Sequence, residues 1–281
     1  MGKTKIVKCE YEKIMDLYKS GLEQKQIAEI YSVGVGTIGK IIRSFGEPRR
    51  CNRTSGKRKY NLNEHYFDNI DTPNKAYIIG MLWADGSNNL KNHTVEISLQ
   101  ECDKSILIDI ANELESDRPL QFYDYNSRNP NHSNQYRLSV NSKYMSNVLN
   151  NLGMVQNKSL HLEFPTWIHE DLYSHFIRGY MDGDGWISKN PKAPRIEIIG
   201  TETFCEGLSE YIYAQFGIKC AVRKRYINSN SPARQLDFGG RLQVKRFLDS
   251  VYRDADLYLE RKFNIYKSIF YPCDINKSLS A

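Results

Sequence analysis

Two short stretches with the same pattern decide the fold of this chain: Ile79-Gly80-Met81-Leu82-Trp83-Ala84-Asp85-Gly86 and Ile177-Arg178-Gly179-Tyr180-Met181-Asp182-Gly183-Asp184-Gly185. When the glycines Gly80 and Gly179 are aligned, Asp85 and Asp184 align as well, because both pairs are 99 residues apart. Each stretch is typical of an apolar helix with a small residue in its middle, ending in Asp-Gly before a polar turn. Repeats at such a distance indicate duplicated supersecondary units.

The aspartate at the end of each predicted helix carries the chemistry. A helix C-terminus has partial negative charge, so a carboxylate there is unfavourable unless a cation offsets it. Two such carboxylates brought together also repel each other. A divalent metal ion between Asp85 and Asp184 would remove both problems. The alternative is that each aspartate only ends its helix by a hydrogen bond to the following turn. That alternative accounts well for a single aspartate but badly for two at equivalent positions of a repeat.

The two motifs, each followed by the same order of strands and helices, resemble those of the LAGLIDADG homing endonucleases in their single-chain form. The resemblance covers residues 65–270. It implies that the motif helices pack together through small residues, here Gly80, Gly179 and Gly183, between two pseudo-symmetric αββαββα halves. It also implies that the terminal acidic residues meet at the floor of a DNA-binding saddle and hold catalytic divalent ions.

The pattern of apolar residues after each motif predicts the same elements twice. Strand–strand–helix units in two copies favour an α+β fold over an alternating βαβ arrangement. In the first half we expect a strand pair ending in Thr94–Gln100, a helix over Asp103–Leu114, strands over Leu120–Tyr125 and Gln135–Val140, and a helix over Lys143–Leu152. In the second half we expect a strand near Arg195–Thr201, a helix over Glu202–Phe216, strands near Cys220–Ile227 and Arg234–Phe238, and helices over Leu242–Tyr252 and Asp256–Ile269.

The family resemblance implies a two-metal site for phosphodiester cleavage. Such a site activates water and stabilises the charge of the transition state and of the leaving oxygen. Mg²⁺ suits it, because Mg²⁺ keeps several waters and accepts one or two carboxylates plus phosphate oxygens. We expect Asp85 and Asp184 to bind Mg²⁺, for which Mn²⁺ can substitute. Asp182 stands where the first motif has Trp83, and this asymmetry favours a structural role for Asp182.

The resemblance also implies polar and basic residues around the metal ions. Gln100 ends a predicted strand, where family members often have such a glutamine, and its counterpart falls near Ile199–Thr201 without a fixed register. Lys158 and Lys262 follow corresponding helices of the two halves, and a lysine there can stabilise phosphate charge. Gln100, Lys158 and Lys262 are therefore candidate catalytic residues; a solvated surface lysine is the alternative for each lysine.

Residues 8–46 predict three short helices, over Tyr11–Ser20, Gln24–Tyr31 and Val35–Phe45. Their spacing resembles a helix-turn-helix of the resolvase or transposase type, in which the last helix enters the major groove. The expected inward residues of that helix are Ile38, Ile41, Ile42 and Phe45, and the expected outward residues are Gly36, Gly39, Lys40 and Arg43. Since two of the outward residues are glycines, we expect phosphate contacts rather than base reading. A helical bundle for protein contacts is the alternative.

The positive charge of the chain is concentrated near its start. The net charge is +6, and residues 1–64 carry 14 Lys and Arg against 7 Asp and Glu. Residues 48–59 contain six basic residues and no acidic one, which predicts an extended linker along phosphates or, alternatively, a solvated one. The predicted domains are a helix-turn-helix over 1–46, a basic linker over 47–64, and two LAGLIDADG halves over 65–165 and 166–281.

Candidate DNA-binding residues lie in the N-terminal segment and on the predicted strands. Arg and Gln can contact base edges bidentately in the major groove, although alternation of polar and apolar residues also describes any half-solvated sheet. The N-terminal candidates are Lys40, Arg43, Arg49, Arg50, Arg53, Lys57, Arg58 and Lys59. The candidates on strands are Arg137, Arg195, Arg223, Arg225, Tyr226, Arg234 and Gln235.

Several classes of protein are disfavoured by composition. No apolar run approaches the roughly 20 residues of a membrane span, and no signal peptide is recognised, so we expect a cytoplasmic protein of bacterial, phage or organellar context without a membrane partner. The six cysteines are scattered and the histidines are dispersed. This pattern favours reduced thiols over a zinc site or a histidine-based nuclease motif.

The sequence therefore predicts a monomeric, metal-dependent, site-specific endonuclease acting on double-stranded DNA, with no obligate protein partner. By resemblance it should cut across the minor groove at a long site and leave short 3′ overhangs. A free-standing enzyme is expected rather than an intein domain, because no splicing residues are seen. The alternatives are a catalytically inactive DNA-binding transcriptional regulator and a maturase that binds intron RNA.

Overall fold

The computed structural model describes residues 6–7, 10–45, 59–226 and 232–272, and the chain divides into two compact units, residues 1–59 and 60–281. Within these described ranges, no helix combines the length and apolar character needed to span a bilayer.

The first unit contains the three predicted helices: α1 (Tyr11–Lys19), α2 (Gln24–Ile30) and α3 (Val35–Ser44). Two predicted orientations, one within α3 and one directly after it, are wrong. Gly39 is buried rather than outward, and Phe45, which follows the last helical residue, is 45% exposed. The inward apolar positions of the three helices form a separate small core, made of Ile14, Met15, Tyr18, Ile27, Ala28, Ile38, Ile41 and Ile42.

The predicted linker lies mostly outside the described residues. Arg49, Arg50, Arg53, Lys57 and Arg58 all fall in this part of the chain. From residue 60 onward the chain belongs to the second unit, where the Asn61 backbone N–H donates to Asp117 at 2.7 Å.

The second unit consists of two halves with the same order of elements, and the second half ends in one further helix. The first half contains α4 (Pro73–Asp85), β1 (Gly86–Asn89), β2 (Thr94–Gln100), α5 (Lys104–Glu113), β3 (Gln121–Tyr123), β4 (Gln135–Asn141) and α6 (Lys143–Asn151). The second contains α7 (Tyr173–Asp184), β5 (Gly185–Ile187), β6 (Arg195–Gly200), α8 (Glu202–Phe216), β7 (Ala221–Lys224), β8 (Arg234–Gly239), α9 (Arg241–Val251) and α10 (Glu260–Phe270).

Each half forms a four-stranded antiparallel sheet, in the order β1-β2-β4-β3 and β5-β6-β8-β7. The predicted α+β fold with two αββαββα halves is therefore confirmed. Strand β5 is not among the predicted strands, because three residues carry too little alternation to indicate one.

Alternation along the strands gives each sheet one apolar and one polar face. On β2, Val95, Ile97 and Leu99 are buried, whereas Glu96 and Ser98 are half-buried on the other face. On β6 the buried pair is Ile196 and Ile198, both fully covered. The apolar faces pack into one continuous core with the helices, which leaves the polar faces to interact with other molecules.

Helices α4 and α7 form the centre of this core. Every residue of α4 from Ala76 to Ala84 is buried, as expected for a helix surrounded by protein. The helix begins at Pro73, where proline needs no helical N–H partner, and the Thr72 side chain accepts from the Lys75 backbone N–H at 3.3 Å. It ends at Asp85, so the packing of α4 fixes the position of that carboxylate.

Candidate metal centre and nucleic-acid interface

Helices α4 and α7 approach each other backbone to backbone at their glycines. A Cβ atom at Gly80 would lie 2.8 Å from the Tyr180 backbone nitrogen and closer still to the Phe176 carbonyl oxygen. A Cβ atom at Gly179 would lie 2.9 Å from the Met81 nitrogen. Only glycine fits at either position, and the two motif glycines therefore let the helix ends meet.

This approach brings Asp85 and Asp184 together at the C-terminal ends of the two helices. A Cβ atom at Gly183, beside Asp184, would lie 2.9 Å from Asp85 Oδ2. Desolvation by the surrounding protein, and then the charge of Asp184, raise the pKa of Asp85 to about 6. Desolvation also raises the pKa of Asp184, against the lowering effect of Lys158, Lys262 and Arg225. The two carboxylates are thus held in an arrangement that a cation would stabilise.

The two candidate lysines lie at the ends of the motif helices, in equivalent roles. Lys158 Nζ donates to the carbonyls of Trp83 (2.6 Å) and Ala84 at the end of α4. Desolvation lowers the pKa of Lys158, while the charges of Asp184 and Asp85 raise it. A lysine at this end of a helix offsets the partial negative charge of the terminal carbonyls.

Lys262 is the counterpart in the second half and is 4% exposed. Its Nζ donates to the carbonyls of Met181 (2.5 Å), Asp182 (2.7 Å) and Gly185 (2.6 Å). Since an ammonium group has three donors, these bonds use all of them. Desolvation lowers the pKa of Lys262 to about 8. The predicted correspondence of the two lysines is supported by this geometry, but their hydrogen bonds lead to the helix backbone.

Asp182 lies inside the protein, as its predicted structural role requires. It is fully buried, and its Oδ2 accepts from the Tyr77 hydroxyl at 2.9 Å and the Leu259 backbone N–H at 2.8 Å. Desolvation raises its pKa to about 6, while the charge of Lys262 is the largest lowering influence. Asp182 thus joins α7 to α4 and to the start of α10.

Sequence reasoning missed Arg178, although this residue stands inside the second motif. Arg178 is fully buried, and its guanidinium donates to the carbonyls of Leu257 (2.8 Å) and Val251 (2.7 Å) and contacts His175 Nδ1 at 2.9 Å. These bonds attach α7 to the last residue of α9 and to the segment between α9 and α10. A charged residue within an otherwise apolar helix was the available signal, because such residues are almost never fully buried without partners.

Arg261 was also missed, and it bridges the two halves. Its Nε donates to both carboxylate oxygens of Asp103, at 3.0 and 2.9 Å. Asp103 is 4% exposed and lies in the first half, just before α5. The charge of Arg261 also contributes to lowering the pKa of Asp85. No sequence signal pairs these two residues, because they are separated by most of the second unit.

Gln100 lies at the exposed end of β2, opposite Gln135 of β4. The register of the strands now identifies its counterpart. Gly86 faces Ile97 in the first half and Gly185 faces Ile198 in the second, so Gln100 corresponds to Thr201. Thr201 is buried and caps α8, accepting from the Phe204 backbone N–H at 3.1 Å. The two halves therefore differ at this position.

The polar sheet faces carry most of the strand residues predicted to bind DNA. Arg137 donates to Ser98 at 2.9 Å and lies 3.6 Å from a carboxylate oxygen of Glu96. Arg195 and Arg223 both contact Asp237, and Gln235 faces Arg223 across the sheet.

Arg225 lies beside Asp184, in an open concavity that Trp186, Glu197 and Ile199 also line. Its Nε donates to the Tyr226 hydroxyl at 3.1 Å. Arg225 follows the last residue of β7, and its charge lowers the pKa of Asp184, so this candidate lies close to the carboxylate pair.

Arg234 does not lie on the polar face, so its predicted position is wrong. Neighbouring residues of a strand point to opposite faces, and Arg234 shares a face with Leu236 rather than with Gln235. Its guanidinium pairs with Glu202 of α8, at 2.8 and 3.2 Å. Alternation in the sequence could not distinguish the two faces without the register.

In the first unit, Lys40 and Arg43 are exposed on α3 as predicted. Lys59 is the last residue of this unit and belongs to the part of the chain that the structure describes. The remaining basic candidates of the linker lie outside the described residues, and the helix-turn-helix function stays a prediction.

The donor set near the helix ends suits a hard divalent cation. No group of three or more His, Cys, Asp or Glu residues that could hold a metal occurs in the described part of the chain. Two oxygen donors are, however, what Mg²⁺ takes from a protein when it keeps waters and binds phosphate. Asp85 is exposed and Asp184 half-buried, and the two lie close together at the helix ends, so they fit such an ion.

Residues 171–252 match the family model described as LAGLIDADG-like domain. The match lies within the second half of the second unit, and it confirms the resemblance predicted from the motifs. No curated protein matches the chain.

Three solved structures of LAGLIDADG proteins are similar to this chain. The I-LtrWI homing endonuclease bound to target DNA has a TM-score of 0.46 and 14% identity, covering 77% of this chain and 92% of that chain. The I-GzeII homing endonuclease in complex with DNA target has a TM-score of 0.48 and 12% identity, covering 74% of this chain and 92% of that chain. The N-terminal LAGLIDADG domain of DUF199/WhiA has a TM-score of 0.46 and 14% identity, covering 72% of this chain and 93% of that chain.

Proposed function

We propose that this protein is a site-specific, metal-dependent endonuclease that cuts both strands of DNA. One observation carries the proposal: Asp85 and Asp184, each the last residue of a motif helix, converge beside the glycine contact of α4 and α7. A helix pair that served only as a scaffold would have no need for two neighbouring carboxylates at the same end.

Asp85 and Asp184 would hold the Mg²⁺ ions of this enzyme. Bound Mg²⁺ would supply an activated water and stabilise the charge on the scissile phosphate and leaving oxygen. The raised pKa of both carboxyl groups supports this assignment, because desolvation and mutual repulsion are what a bound cation offsets.

The lysines have different parts in this proposal. Lys158 uses two of its three N–H donors on carbonyls of α4, so its ammonium group can also attract a phosphate oxygen. Lys262 uses all three on the end of α7. Its role is to hold the backbone that carries Asp184 rather than to contact substrate.

The polar faces of the two sheets are proposed to bind double-stranded DNA. Arg137, Arg195, Arg223, Arg225 and Gln235 supply donors suited to base edges and phosphates. The first unit, through Lys40 and Arg43, would add phosphate contacts. A monomer carries both motifs, so no second copy is required for a complete site, and cleavage should leave short 3′ overhangs.

The test is cleavage of a DNA library with randomised sites, by the wild type, Asp85→Asn and Asp184→Asn, in Mg²⁺ and in Ca²⁺. The expected result is selective, Mg²⁺-dependent double-strand cutting that both variants lose while they still bind DNA. Asp109→Asn is the matched control, because the same change on the exposed face of α5 should leave cutting intact.

Other outcomes would identify other functions. Equal loss of binding and cutting in both variants would contradict the assignment of metal ligands. Site-selective binding by the wild type without cutting would favour a transcriptional regulator. Preferential binding of structured intron RNA without DNA cleavage would favour a maturase.

A further inference from the structure

A buried carboxylate lies on the polar face of the second sheet, outside the metal centre. Asp237 of β8 is 4% exposed, between the core residues Leu236 and Phe238, which face the opposite side. Its direct cross-strand neighbours are Glu197 on β6 and Ala221 on β7. A like charge directly opposite destabilises a sheet, and a buried carboxylate is costly unless it is paired. Asp237 therefore needs cations at this position.

Two arginines from different strands supply that charge. Arg195 of β6 contacts Asp237 Oδ2 at 2.5 Å, and Arg223 of β7 lies 3.5 Å from Oδ1. Both side chains remain open to solvent, at 50% and 67% exposure. The stem of Arg195 passes over Gly239, where an added Cβ atom would lie 3.2 Å from Arg195 Cγ. The carboxylate is covered, while both guanidinium groups face outward. Arg195 donates a hydrogen bond to Oδ2, whereas Arg223 is attracted to Oδ1 by its charge alone, because Oδ1 accepts no hydrogen bond.

The first sheet is built differently at the same place. Ser139 faces Glu96 as Asp237 faces Glu197, so Ser139 occupies the corresponding position. The Ser139 hydroxyl donates to Glu96 at 2.9 Å. On this sheet the acidic partner is Glu96, which lies 3.6 Å from Arg137. The two halves thus present different sets of charges to a bound molecule.

We propose that Asp237 is a positioning residue that holds Arg195 and Arg223 to read two guanines in one half of the DNA target. This proposal rests on the proposed function. A guanidinium group pairs bidentately with O6 and N7 of guanine, and no other base presents that pair of acceptors in the major groove. Bidentate pairing requires a fixed orientation, and a side chain oriented beforehand loses less entropy on binding. A phosphate contact alone would not require a buried carboxylate behind it.

The experiment is selection of bound sites from a library randomised over the whole target, in Ca²⁺. The wild type should enrich guanine at two positions of one half-site. Arg195→Gln should lose the preference at one position and Arg223→Gln at the other, each by about tenfold. Asp237→Asn should relax both preferences while the salt dependence of binding stays unchanged. Arg234→Gln is the matched control, because that arginine pairs with Glu202 on the opposite face.

A chemical probe tests the contact itself. Replacing either guanine by 7-deazaguanine removes the N7 acceptor and should weaken wild-type binding by about tenfold. Arg195→Gln should be insensitive to 7-deazaguanine at its own position and remain sensitive at the other.

Two results would overturn the proposal while leaving the nuclease function intact. One is cleavage at a selected site whose guanine preferences are the same in the wild type, Arg195→Gln and Arg223→Gln. The other is a uniform loss of affinity with a shallower salt dependence in these variants, which would identify both arginines as phosphate contacts. Because both arginine side chains are largely exposed, their variants should fold and keep the test decisive even if Asp237→Asn does not.

Discussion

Replacing Gly80 with alanine should force α4 and α7 apart. The new methyl carbon would lie 2.8 Å from the Tyr180 backbone nitrogen, whereas ordinary van der Waals contact begins at 3.4 Å. Backbone atoms cannot rotate away as a side chain can, and the Phe176 carbonyl oxygen would lie closer still, so the helices must separate by about 1 Å or more. A gap of about 1 Å forfeits roughly half of the dispersion attraction across a contact.

The expected loss of stability follows from that separation. If about fifty interhelical atom pairs each lose about half of roughly 0.15 kcal/mol, the loss is about 4 kcal/mol. Strain from overpacking adds about 1–3 kcal/mol, and the better helix propensity of alanine returns about 1 kcal/mol. The free energy of unfolding should therefore fall by about 5 kcal/mol. DNA cleavage should fall as well, because Asp85 moves away from Asp184.

Urea unfolding followed by tryptophan fluorescence measures this change. The three tryptophans, Trp83, Trp167 and Trp186, all lie in the second unit, so their fluorescence reports that unit alone. Gly36→Ala is the control, because nothing lies within 4 Å of its Cβ position on α3. It should leave the fluorescence transition unchanged. An unaltered transition in Gly80→Ala would refute close backbone packing of the motif helices.

Three further predictions concern the lysine caps, a buried histidine and the first unit. Lys262→Met should lower the free energy of unfolding by about 3–4 kcal/mol, because three carbonyls lose a charged donor. Lys158→Met should lower it by less, because Lys158 makes only two such hydrogen bonds. Equal effects of the two variants in urea unfolding would contradict this order. Desolvation and then the charge of Arg178 lower the pKa of His175 to about 4, against the raising effects of Asp254 and Asp256. Since folding then disfavours the charged imidazole, stability should fall by about 2 kcal/mol between pH 7 and pH 5 relative to His175→Asn, which does not titrate. Parallel pH profiles of the two proteins would rule this out. Deleting residues 1–59 should weaken DNA binding and make its dependence on salt shallower without abolishing cleavage at high protein concentration; an unchanged salt slope would show that the first unit does not bind phosphates.

The sequence was sufficient to predict the two halves and the meeting of their motif helices. Both predictions depend on local, repeated signals: Gly80 with Gly179, and Asp85 with Asp184, stand at a constant offset. Apolar periodicity within single elements predicted most helices and strands for the same reason.

Contacts between distant segments could not be predicted in this way. The bonds of Arg178 to Val251 and Leu257, and of Arg261 to Asp103, join residues whose spacing carries no pattern. The counterpart of Gln100 and the true face of Arg234 depend on the register of the strands. Hydrogen bonds between strands determine that register, and composition does not. The engagement of Lys262 with three carbonyls likewise follows only from the docking of α10.

The dependence of α7 on α10 has a consequence for the order in which the protein is made. Met181, Asp182 and Gly185 receive their ammonium hydrogen bonds from a helix that the ribosome synthesises after every other helix and strand described here. A nascent chain that has reached α9 already holds both terminal aspartates, yet the backbone beneath Asp184 still lacks its cation. Contacts of such long sequence separation form late and slowly. The pair of carboxylates should therefore reach its final geometry only after α10 has left the ribosomal tunnel.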